Sequence, residues 1–161
     1  MAERQAARLL RHFGIVTEPV PDQVITELPS VRVRYVQARH FVATAKWSTA
    51  QRRWLILVNR DGNTAGRIRW SLMHEAKHAV DHPLAKIIYR DRPAASAYLQ
   101  AERAADAFAA ALLMPKAWVK RAFYGEGIRD ERILARRFGV SVAAMRVRID
   151  ELGLLEPEAV A

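Results

Sequence analysis

The chain has 161 residues, 51% of them hydrophobic, no cysteine and a formal charge of +9. That length suits one compact domain with a small appendage. The lack of cysteine excludes disulfides, thiolate metal sites and Cys nucleophiles, leaving His and carboxylate to hold any metal.

Charged residues break every apolar stretch well before the roughly 18 residues that a membrane span requires. The amphipathic start, MAERQAARLLRHFG, lacks the apolar centre of a secretory signal. A cytoplasmic protein without membrane contact is therefore expected. The first helix is predicted over residues 2–13, with Leu9, Leu10 and Phe13 inward and Gly14 following its end. Pro19 and Pro21 lead into a short helical segment carrying Val24, Ile25 and Leu28, with Asp22 as its N-cap and Pro29 as its stop. The period then changes. Val31, Val33 and Tyr35 alternate with Arg32 and Arg34, as in a half-buried strand, and further runs follow at 41–47 and 54–58. Together they predict a three-stranded antiparallel sheet. The third run, Trp54 to Val58, is wholly apolar, so it is central or covered on both faces, and turn formers from Asn59 to Asn63 close it.

From Thr64 onward the pattern is helical. One helix carries Ile68, Leu72, Ala76 and Val80 as an apolar stripe and stops before Pro83. A long alanine-rich helix over 94–113 ends at Pro115, where another begins, and shorter helices are predicted at 130–138 and 141–152. The fold class is α+β, a small antiparallel sheet packed on a helical core. Two parts are expected: residues 1–124, and a C-terminal helical segment over 125–161.

Within the helix that starts near Thr64 stands His74-Glu75-Ala76-Lys77-His78, an HExxH match. Residues four apart share a helical face, so both imidazoles can meet one zinc ion, while Glu75 can act as general base on a water at the metal. Zinc polarises the scissile carbonyl and activates the water, and together these hydrolyse an amide bond. A solvated His-Glu-His face is the plain alternative, since three fixed letters recur by chance. Zinc in a hydrolase also wants a third protein ligand. His82 continues the spacing, but on a straight helix it lies about 12 Å along the axis from His74, too far to share an ion, and no Gly follows His78 to turn the chain. Glu102, on the following long helix, is the better candidate; its alternative is a surface pair with Arg103 or Lys86. Asp106, one turn further, suits a carboxylate that accepts the free N–H of a ligating His. Lys77 is expected to point sideways into solvent.

The HEAKH helix, followed by Glu102-Arg103-Ala104-Ala105-Asp106 and then the run FAAALLMP ending at Pro115, resembles the ImmA/IrrE family of zinc metallopeptidases over roughly residues 15–125. That resemblance implies a zincin-like core, His74, His78 and Glu102 as zinc ligands and Glu75 as catalytic base. It also implies a protein substrate, often a helix-turn-helix repressor. Two positions depart from the family's usual pattern: Lys77, where Gly or Ser is frequent, and Asp106, where Asn is frequent.

Residues 131–152 read as a helix-turn-helix, with Gly139 at the turn, Ser141 as N-cap and a second helix rich in Arg. Two uses stand: nucleic-acid contact through Arg146 and Arg148, or packing against a neighbouring part or partner. The same choice applies to the basic charge as a whole, which reads either as solvated faces or as a surface for nucleic acid or acidic protein. Tyr89, Tyr98, Tyr124 and His82 are all chemically able to stabilise an oxyanion, and spacing singles out none of them.

Overall fold

A computed structural model of the protein describes residues 1–38 and 40–154. In chain order the elements are α1 (Ala2–His12), α2 (Gln23–Thr26), β1 (Val31–Val36), β2 (Ala43–Ser48), β3 (Arg53–Asn59), α3 (Ala65–Asp81), α4 (Ala85–Ile88), α5 (Ala97–Leu113), α6 (Lys116–Lys120), α7 (Glu131–Phe138) and α8 (Val142–Glu151). A 3-10 turn, His82–Leu84, joins α3 to α4, and a π-turn, Arg121–Gly125, follows α6. Side-chain caps set the starts of the main helices. Thr64 accepts from the Arg67 N–H, Ser96 from Leu99, Asp130 from Arg132 and Ser141 from Ala144. Asp22 precedes α2 as expected but caps nothing. Its carboxylate instead accepts from Arg69 Nε at 3.0 Å.

The sheet is mixed, and the expectation of wholly antiparallel pairing is corrected. Its order is β1-β3-β2, with β3 parallel to β1 and antiparallel to β2. Successive strands do alternate in direction. What differs is adjacency, because the most apolar strand takes the central position and leaves the Arg- and Lys-bearing strands at the edges. Once β3 stands between β1 and β2, its pairing with β1 has to be parallel. The connection from β1 to β2 crosses the sheet end and is clasped by the buried Asn59, whose side chain bonds the Ala38 backbone N–H and carbonyl and the Phe41 carbonyl.

α3 packs on the sheet and on α5, and α5 packs in turn on α1. Leu72, Met73 and Ala76 of α3 are fully buried with Ala109, Leu112 and Leu113 of α5, Ala6 of α1, and Ile56 and Val58 of β3. Val80, expected on the same apolar stripe, is exposed. Ala105, Ala109 and Ala110 of α5 are buried, and small side chains at a helix contact let the two axes approach closely.

The C-terminal helices are tied to this body by charged groups. Arg69 donates to the carbonyls of Val20, Phe138 and Gly139, and the buried Glu18 carboxylate accepts from Arg121 and Arg137. Arg148 is buried and donates to the Met114 carbonyl at 3.2 Å. Among the described residues no helix is long and apolar enough to cross a membrane.

Candidate metal centre

His74 and His78 occupy one face of α3, with their Nε2 atoms 3.1 Å apart. Glu102, in the second turn of α5, completes a triangle: Oε2 lies 3.4 Å from His74 Nε2 and Oε1 lies 3.2 Å from His78 Nε2. Donors held about 2.0–2.2 Å from a tetrahedral ion stand roughly 3.4 Å from one another, so this triangle fits one metal ion and leaves its fourth position open. It is the one group of His and carboxylate side chains among the described residues so arranged.

Asp106 stands one turn beyond Glu102 on α5. Its Oδ1 is 2.9 Å from His74 Nδ1. A carboxylate accepts only, so Nδ1 supplies the hydrogen of this bond, and it is Nε2 that faces the triangle; in a neutral ring so held, Nε2 is the atom left with a lone pair. Burial, followed by the neighbouring His74 ring, holds the His78 pKa below the ordinary histidine value, against the opposing charges of Glu102 and Glu75. A neutral ring with a free lone pair is the form that binds a metal.

The triangle opens on a cleft of about 460 Å³. Ala45, Trp54, Glu75, His82, Tyr89 and Tyr98 are among the residues that line it. Half-buried Glu75 makes no hydrogen bond with any described residue. His82 lies at the C-terminal end of α3 with its ring edge on Trp54, at 4.8 Å between centroids, and is not part of the triangle. Of the four candidate oxyanion donors, Tyr124 does not line the cleft, and the Tyr89 hydroxyl is committed as a donor to Asp81. A larger groove of about 780 Å³ between residues 19–26 and β1 contains no comparable donor set among the described residues.

Lys77 contradicts the expectation that it points into solvent. It is 1% exposed and pairs with Asp81 one turn on, while Tyr89 donates to the same carboxylate and Gln5 reaches its other oxygen at 3.2 Å. Position 77 lies about 100° around the helix from His78, on the flank that faces α1. Neither Asp81 nor Gln5 was identified from the sequence, although Lys77 and Asp81 stand at ion-pair spacing. Arg148, expected as a nucleic-acid contact, is buried and engaged at Met114 and Glu151. Arg146 is exposed but paired with Glu131 of α7.

The chain matches the family model described as IrrE N-terminal-like domain (Peptidase_M78) over residues 27–150. No curated protein matches it at a significant level. Among solved structures, a Mycobacterium tuberculosis transcriptional regulator superposes with a TM-score of 0.72 at 20% identity, over 92% of this chain and 46% of that one. That likeness is one of fold, and the chain spans less than half the length of the regulator. The resemblance carried by the HEAKH helix and the FAAALLMP run holds across most of the sequence: the chain belongs to the IrrE N-terminal-like domain family.

Proposed function

We propose that the protein is a zinc-dependent endopeptidase of the cytoplasm that cleaves a regulatory protein, with helix-turn-helix transcriptional repressors as the substrate class. One observation carries this reading: the His74, His78 and Glu102 donors converge on the same cleft as the unengaged Glu75 carboxylate. In this reading those three residues hold the ion and Asp106 fixes the His74 tautomer. A bound zinc ion supplies Lewis-acid activation of a water and of the scissile carbonyl. Glu75 takes the proton of the attacking water and returns it to the leaving amine. β2 is an edge strand and its Ala45 lines the cleft, so an extended substrate pairing along β2 brings its backbone beside the metal ligands. His82 and Tyr98 reach the cleft without hydrogen-bond partners among the described residues, and either can donate to the developing oxyanion. In this reading residues 1–124 carry the chemistry and the segment from 125 is an appendage to them; of that segment residues 125–154 are described, and 155–161 lie outside the described residues.

The test is incubation with helix-turn-helix regulators, beginning with any that genes adjoining this protein's own encode, followed by mass spectrometry of the fragments. Wild type loaded with zinc should cut at a defined bond, and Glu75→Gln should cut about 10²–10⁴-fold more slowly with metal still bound. A Glu75→Gln protein as active as wild type would refute the assignment. A second reading, a non-enzymatic DNA-binding regulator, draws on the description of the solved neighbour. The engagement of Arg148 and Arg146 inside the chain weighs against it. Band-shift titration separates the two, since phosphate contacts weaken with salt and survive His74→Ala.

A further inference from the structure

The two faces of the sheet differ in what covers them. Register puts Val33 and Tyr35 of β1 beside Ile56 and Val58, and Ala45 and Trp47 of β2 beside Ile56 and Trp54. All of these turn to the face that meets α3, where Ile56 and Val58 are fully buried. Alternation along β3 turns Leu55 and Leu57 to the opposite face, and there they stay half-exposed. Leu55 lies between Arg32 on one side and Lys46 on the other, and Leu57 between Arg34 and Thr44. Arg52 and Arg53 extend the cationic border at the turn into β3. None of these five cations pairs with any described residue, whereas Arg69, Arg121, Arg137, Arg146 and Arg148 are all engaged inside the chain.

We propose that this open face docks an acidic, amphipathic segment of a partner protein. Its apolar side chains rest on Leu55 and Leu57 and its carboxylates meet the flanking cations. The dimensions agree. Leucines two residues apart on a strand are about 6.6 Å apart and the flanking strands lie about 4.8 Å to either side, while apolar residues four apart on a helix are separated by about 6 Å along its axis. A single-stranded nucleic acid fits less well, because base stacking needs aromatic rings and Tyr35, Trp47 and Trp54 all belong to the other face. The surface does not depend on the metal centre, so His74→Ala should leave docking unchanged.

The experiment is fluorescence anisotropy of the full chain with a labelled synthetic peptide of about 18 residues, Leu at helical spacing and Glu on both flanks. A scrambled peptide of the same composition and an oligothymidylate serve as comparisons. Arg32→Glu with Arg34→Glu should weaken binding of the ordered peptide at least about tenfold. Arg4→Glu with Arg8→Glu, the same charge change on α1, should shift it less than about twofold. Amide-shift mapping on the wild type gives a reading that needs no variant to fold, with changes expected at Arg32, Arg34, Lys46, Leu55 and Leu57. Equal loss in both variants, equal binding of the scrambled peptide, tighter binding of the oligothymidylate, or shifts centred elsewhere would each overturn the proposal.

Discussion

Lys77 is a buried ammonium one residue before a histidine of the metal-competent group, and its position has an energetic consequence. Burial alone would raise the Asp81 pKa, but the hydrogen bonds from Lys77, Tyr89 and Gln5 outweigh it and hold the carboxyl below its ordinary value. Burial, and after it the same carboxylate, pushes the Tyr89 hydroxyl up. A carboxyl with a depressed folded pKa contributes stability above its unfolded value of about 4, and that contribution is lost as pH falls through the folded value. Asp81→Asn strands the Lys77 charge and should cost about 3–5 kcal/mol at pH 7 by denaturant unfolding. The gap between wild type and variant should shrink as the pH is lowered below about 4. A gap that does not change with pH would assign the loss to packing. The motif letters at His74, Glu75 and His78 were legible because helical spacing alone orients them. Lys77 was misread because that spacing describes the metal-facing side of α3 and is silent about α1, which arrives from the far end of the sequence.

Among the elements, helices and their starts were legible wherever a short polar residue precedes an apolar period, as at Thr64, Ser96, Asp130 and Ser141. Sheet order was not, because alternation reports which face a residue takes and says nothing of which strand is its neighbour. The apolar run of β3 did indicate its central position, and that position made one pairing parallel. The closest approach between elements is equally invisible in sequence. A Cβ at Gly66, in the first turn of α3, would lie 2.7 Å from the backbone of Val140 and of Ser141 at the α7–α8 turn. Helix propensity alone would make Gly66→Ala stabilising by about 1 kcal/mol. Backbone on the far side cannot yield as a flexible side chain can, so overpacking of about 1–3 kcal/mol should dominate and the thermal midpoint should fall. A raised midpoint would mean that the α7–α8 turn is free to move away from α3.

Across the whole molecule, the third member of the metal-competent group depends on packing that no local pattern encodes. Glu102 meets the histidines across the contact between α3 and α5; its place on the following long helix made it the candidate, and the resemblance around FAAALLMP added to that. The charge of +9 divides in a way the composition could not disclose: part of it meets Glu18, the carbonyls at the end of α7 and the carbonyl of Met114, and part stands on the open sheet face without a partner among the described residues. Both divisions rest on one body in which α3 and α5 present the donors from opposite sides. Metal content of the purified chain tests that arrangement most directly. Mass-spectrometric metal analysis should find one zinc per chain in wild type and in Glu75→Gln, and almost none in His74→Ala or Glu102→Ala. Asp106→Ala should bind about 10–100-fold more weakly in a chelator competition. Wild type without stoichiometric zinc, or Glu102→Ala retaining it fully, would contradict the centre described.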